Sequence, residues 1–175
     1  MDKQMVAPDA WIAVLRIVVG AWFFKAVWTK LAWVFAGGVI PYPVVSARFL
    51  GFHAKRVAEF ANGNPIDWYK NFLETTVLPN AHLFATLQAY GEAAVGFGLL
   101  FGLLTGLAAL VGLYLGVNFG LATQWMSEGQ RGFHLLLVTS MLIFLCARAG
   151  RVFGIDGLVL DRAGRGARRW LRLVM

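Results

Sequence analysis

Ionisable and amide side chains embedded in apolar runs are where this chain could do chemistry, and the first set is Lys25, Glu92 and Asn118. An uncompensated charge at the centre of a membrane helix costs roughly 2.5 to 3.5 kcal/mol even on lenient scales, so such groups turn inward and find partners. If the first apolar segment runs outward and the second inward, Lys25 lies about 20 Å from the inner edge and Glu92 about 15 Å, at ~1.5 Å per residue. Asn118 falls about 16 Å up the third segment by the same reckoning. A buried polar layer of Lys25, Glu92 and Asn118 is therefore expected, with Tyr90, Gln88 and Trp22 as neighbours. A carboxylate beside a cation and aromatic rings can hold a quinone oxygen and pass protons. The plainer reading is that Lys25 and Glu92 neutralise each other and fix helix register.

A second group, Arg16, Lys30 and Asp156, reads as structural. Arg16 sits about two turns from the inner end and either snorkels to lipid phosphate or pairs with Asp156 after the last apolar segment. Arg16 and Lys30 are about 40° apart around a helix, at opposite membrane edges, and Lys25 points elsewhere. His53, His82 and His134 stand alone on separate elements, so polar groups at helix ends are the expected role, with no metal or haem. The single cysteine, Cys146, cannot form an internal disulfide or a multi-thiolate cluster.

The elements that must position these residues are membrane helices. Of 175 residues, 59% are hydrophobic and 14% charged, against roughly a quarter charged in a soluble domain. Mean hydropathy is +0.65. The apolar residues fall in long runs, which makes lipid the solvent. An all-α membrane protein follows: an antiparallel bundle of four transmembrane helices in one domain, with spans at about 11–36, 82–104, 107–126 and 133–147. The segment Ser127 to Gly132 is expected as a turn. The loop 37–79 is long for a bundle, and its pattern predicts two short interfacial helices, the second capped by Asn64 with Pro65 at its first position. Glycines at 98, 102 and 106 and at 112, 116 and 120 suggest close packing of the second and third spans on each other.

The net charge of +7 comes largely from a basic tail, 148–175, holding Arg148, Arg151, Arg162, Arg165, Arg168, Arg169 and Arg172. With Lys3 these outweigh Arg48, Lys55, Arg56, Lys70 and Arg131 on the other side, so both termini are expected in the cytoplasm. Such a tail fits anionic lipid rather than nucleic acid, since it lacks interleaved aromatics. The N-terminal segment lacks a cleavage site and is expected to remain as a helix.

Three stretches together resemble the DoxX/DoxD family. The first, LRIVVGAWFFKAVWTKL, carries Arg16, Gly20, Phe23, Lys30 and Leu31; the second, YGEAAVGFGLLFGLLTGLAAL, carries Glu92, Gly96, Gly102 and Thr105; the last, RAGRVFGIDGL, carries Gly150, Gly154 and Asp156. The long first loop favours the DoxD side, the thiosulfate:quinone oxidoreductase type. The resemblance implies a multi-pass subunit of a bacterial or archaeal-type cell membrane, working beside other membrane subunits and passing electrons from a sulfur compound to quinone. A non-catalytic accessory subunit of a larger respiratory or photosynthetic assembly is the alternative. A small transporter is weaker, for want of an inverted repeat or a broken helix.

Overall fold

The computed structural model describes residues 7–163, which places Lys3, Arg165, Arg168, Arg169 and Arg172 outside the described residues. The chain is mostly helical, and four of its helical segments are long and apolar enough to cross a membrane: Pro8–Thr29, Ala81–Phe101, Thr105–Thr123 and Glu128–Ala147. The first consists of α1 (Pro8–Phe24) and the single turn α2 (Ala26–Thr29). The other three are α5, α6 and α7 in that order. Helix α5 packs on α1 and α6, α6 packs on α7, and α7 touches α1.

The first span stops earlier than the sequence suggests. Residues 31–36 are not helix but strand β1 (Leu31–Ala36), which pairs antiparallel with β2 (Ile40–Val45). The fold is therefore not all-α. The composition explains the switch: Trp33, Val34 and Phe35 favour extended backbone, and Pro41 and Pro43 forbid helix on the return. Between the strands Gly37 and Gly38 adopt φ of 60° and 78°, a left-handed region open to residues without a Cβ.

The rest of the first loop is helical at both expected places. Helix α3 (Ala47–Asn62) starts where Ser46 Oγ accepts the Phe49 amide at 3.2 Å, an N-cap that satisfies one orphan donor. Helix α4 (Asp67–Phe72) runs into a π-helical turn, Leu73–Val77. Asn64 is not its N-cap. Asn64 Oδ1 accepts from the Ile66 amide, and its side-chain amide donates to Leu121 O, both at 2.9 Å, tying the loop to α6. Residues 128–132 likewise form the first turn of α7 rather than a loop, because Ser127 Oγ accepts the Gln130 amide with Glu128 in the first turn.

Glycines set the helix spacing, and only in part between the two helices expected. A Cβ on Gly20 would lie 2.5 Å from the Leu100 amide nitrogen, and one on Gly96 2.5 Å from Phe24 Cα, so α1 and α5 meet backbone to backbone. The α6 stripe faces α7: Gly112 meets Met141, Gly116 meets Leu137, and Gly120 meets His134. Gly98, against Ala108, and Gly112, whose Cβ would also lie 3.2 Å from Val95 Cγ1, follow the expected α5–α6 pattern. The core between these helices is built on Phe23, Val95, Leu99, Ala109, Met141 and Phe144.

At the α5–α6 turn, Asp156 at the start of α8 (Ile155–Ala163) accepts the amides of Leu104 and Thr105 at 2.7 and 2.8 Å. It thus caps α6 from 51 residues away. Arg16 neither snorkels nor forms an ion pair with Asp156. It is fully buried and donates from Nη2 to Phe153 O at 2.8 Å, while Asp156 accepts from the two backbone amides.

Candidate functional site

Glu92 is buried on α5 and receives two donors on one oxygen, the Lys30 ammonium and Gln88 Nε2, the latter at 2.8 Å. Its cation is Lys30 and not Lys25. The reason lies in the break of the first helix. Phe23 and Ala26 face inward, which turns Trp22 and Lys25 outward, where the Lys25 ammonium lies 3.3 Å from the centroid of the exposed Trp22 ring. Lys30 ends α2 at the mouth of the hairpin, and its carbonyl accepts the Ser46 amide at 2.9 Å. From there its side chain reaches across to α5 beside the Phe49 ring, 4.8 Å from the centroid. Lys30 and Glu92 side chains are 17% and 11% exposed.

Gln88, one turn before Glu92, is the link from this ion pair to a cavity of about 710 Å³ bounded by α3, α4 with its π-helical turn, α5 and α6. The wall comes from the N-terminal half of α5 and the C-terminal part of α6, with α3 across them. It is overwhelmingly apolar, with Phe52, Phe60, Phe72, Phe84 and Phe119 among its rings. Residues that both line the space and stand exposed mark its mouth: Phe52 on α3, Leu87, Tyr90 and Ala94 on α5, and Tyr114 on α6. Helices α5 and α6 are two of the four long apolar helices.

Few polar groups converge on the cavity, as is usual for a pocket that orients a small molecule in an apolar bed. Tyr69 donates its hydroxyl to Asn118 O at 3.0 Å, with Asn118 Oδ1 3.4 Å away. Burial pushes the Tyr69 phenol up to about 12, so it stays a donor. Asn118 Nδ2 donates to Tyr114 O at 2.8 Å. Tyr90 donates to Pro43 O at 2.9 Å, fixing the hairpin to α5. His53 on α3 is buried and faces Gln88 and Lys30; desolvation, and secondarily the Lys30 charge, holds its pKa below the usual histidine range against the raising effect of Gln88.

The expected layer of Lys25, Glu92 and Asn118 is therefore divided. Gln88, Tyr90 and Asn118 line the cavity, Glu92 and Lys30 stand behind Gln88, and Trp22 and Lys25 face away on the other side of α1. Lys30 moves from a structural charge to the partner of Glu92. Sequence reasoning missed Tyr69, and it took His53 for a polar group at a helix end, whereas His53 lies buried within α3, whose amphipathic pattern was a signal that one of its faces is covered. His134 meets Thr123 Oγ1 at 2.7 Å on the α6–α7 side. Among the described residues, no three His, Cys, Asp or Glu side chains gather as a metal site.

A family model described as TQO small subunit DoxD matches residues 11–174. No curated protein and no solved structure matches the chain.

Proposed function

The chain belongs to the DoxD family, and from that premise we propose that it is the membrane subunit of a redox system that passes electrons from thiosulfate or a related sulfur compound to quinone, with the quinone headgroup seated in the cavity between α3, α5 and α6. One observation carries the placement. The cavity is apolar, opens between helices that would stand in hydrocarbon, and carries an amide, Gln88, whose orientation is fixed by Glu92. A lipid-borne ring with polar oxygens fits such a wall, and a sulfur oxyanion would find no free cation within it, since Arg56 at the rim is held by Glu59 at 2.7 Å.

Each residue then has a part. Glu92 accepts the Gln88 N–H and leaves the amide oxygen turned away from it. Lys30 pairs with Glu92 and offsets its charge at this depth. Tyr69 and Asn118 form a second polar point on the wall, and the phenylalanines exclude water. Bound quinone supplies the electron acceptor; the donor chemistry belongs to a partner subunit. In the cell membrane both termini of the chain face the cytoplasm, and the cavity lies toward the outer leaflet.

Binding of a short-tailed benzoquinone to the chain in nanodiscs, followed by tryptophan quenching, tests this. Glu92→Gln frees Gln88 and is expected to weaken binding about tenfold, the equivalent of one charge-assisted hydrogen bond. Lys25→Met is expected to leave it unchanged. Equal affinity in wild type and Glu92→Gln would remove the site.

A second reading, a non-catalytic accessory subunit, draws on the hairpin. Trp33, Phe35, Val39 and Ile40 are exposed on it, and no charged residue lies between Lys30 and Arg48. Isolation of a native complex whose quinone reduction survives Glu92→Gln but which dissociates on Phe35→Lys would favour this reading.

A further inference from the structure

The cavity wall carries several titratable side chains, and all but one of those within it are committed elsewhere. Arg56 is paired with Glu59 at the rim, Tyr69 gives its proton to Asn118 O, and Tyr90 gives its own to Pro43 O. Tyr114 stands 64% exposed at the mouth. His53 remains. It lines the cavity and is only 7% exposed, and its Nδ1 has no hydrogen-bond partner among the described residues. The ring is steadied by an edge contact with Phe49, centroids 5.7 Å apart. A buried imidazole with unspent hydrogen-bonding capacity is costly in a finished core. It is suited to a wall that receives a polar ligand.

We propose that the His53 imidazole hydrogen-bonds an oxygen of the quinone headgroup, which makes α3 part of the binding site rather than a cover over it. This rests on the quinone reading above. The choice of residue follows from what each group can offer. Tyr69 has given its O–H to Asn118 and one of the two Gln88 N–H groups is held by Glu92, which leaves the buried imidazole and the second Gln88 N–H as the groups this wall can still offer. A neutral imidazole has one nitrogen that donates and one that accepts. It can therefore meet the carbonyl of an oxidised quinone or the hydroxyl of a reduced one by exchanging tautomers. Burial keeps His53 in that neutral form. The ring lines the cavity from α3, whereas Tyr69 and Asn118 belong to α4 and α6, which gives α3 a reason to carry a buried polar residue on its covered face.

The experiment uses the full chain in nanodiscs with a decyl-tailed benzoquinone carbon-13 labelled at its carbonyls, and decylbenzene as an oxygen-free control. The expected result for wild type is a quinone carbonyl stretch lowered relative to the same quinone in empty nanodiscs. His53→Leu is expected to bind the quinone about tenfold more weakly, to bind decylbenzene as wild type does, and to return the stretch toward its free position. His53→Gln, which keeps a donor and an acceptor, is expected to recover most of the affinity. A wild-type band at its free position would overturn the assignment, and that measurement needs no variant to fold. So would a His53→Leu protein that matches wild type in quinone affinity and band position. Absence of any quinone binding by wild type would overturn the cavity reading itself, which separates the two failures.

Discussion

Replacing Lys30 should cost far more stability than replacing Lys25, although the two lysines are five residues apart in one apolar segment. The Lys30 and Glu92 side chains are 17% and 11% exposed. Removing one partner of a well-buried pair costs about 3 to 5 kcal/mol, because the other charge is left uncompensated. The residual exposure and the second donor from Gln88 reduce that here, so about 2 to 3 kcal/mol is expected for Lys30→Met. Glu92→Gln should cost less, about 1 to 2 kcal/mol, since its amide oxygen can still accept from the lysine. The double variant should be less destabilised than the sum of the singles by about 1 to 2 kcal/mol, the signature of direct coupling. Lys25→Met loses only a contact with an exposed Trp22 ring, about 0.5 to 1 kcal/mol. Reversible unfolding in mixed micelles, followed by circular dichroism, gives all four values. Equal costs for the two lysines, or additive effects of Lys30→Met and Glu92→Gln, would refute the pairing.

Three further outcomes follow from the packing. Gly96→Leu should separate α1 from α5, because even a Cβ there would lie 2.5 Å from Phe24 Cα; a destabilisation of about 3 kcal/mol or failure to fold is expected, readable in the same micelle assay. Asp156→Ala removes the acceptor of two amides and should cost about 1 to 3 kcal/mol, with faster hydrogen exchange at Leu104 and Thr105 while the C-terminal half of α6 stays protected. The His53 pKa is lowered in the fold by desolvation and by Lys30, with Gln88 opposing, so below the unfolded value of about 6.5 the unfolded chain binds the extra proton. The stability this residue contributes is complete above that pH and is lost as the pH falls toward the folded pKa. Thermal melts of wild type and His53→Gln should therefore differ in slope below about pH 6.5, and parallel curves would count against the assignment.

Much of the architecture was legible because membrane helices announce themselves by uninterrupted apolar length. The spans around α5 and α6 were placed by that signal, and the break between them by Thr105 and Gly106. The hairpin was hidden by the same signal, since Leu31 to Ala36 is as apolar as the helix before it; only its aromatic and β-branched content, together with Gly37, Gly38 and the two prolines, marked the change. That one misreading displaced the site. Carrying the helix through to Ala36 made Lys25 the natural partner of Glu92, whereas ending it at Thr29 puts Lys30 at the junction from which it reaches α5. The glycine stripe of α6 shows a related limit: spacing of four reveals that a close neighbour exists, but α5 and α7 would leave the same pattern. The place of His53 and Tyr69 in the cavity wall was out of reach because it depends on α3 and α4 folding over α5 and α6, a contact between distant segments that no local period records. Asp156, expected as a partner of Arg16, instead accepts the amides of Leu104 and Thr105.

The account turns on where quinone sits, and photolabelling answers that most directly. An azido-benzoquinone with a short alkyl tail, activated on the chain in nanodiscs and mapped by peptide mass spectrometry, should label α3 around Phe52 to Phe60, α5 around Leu87 to Ala94 and α6 around Val111 to Ala122, and unlabelled quinone should suppress it. Labelling concentrated instead on the outer face of α1 around Trp22 and Lys25, or labelling that excess quinone does not displace, would contradict it.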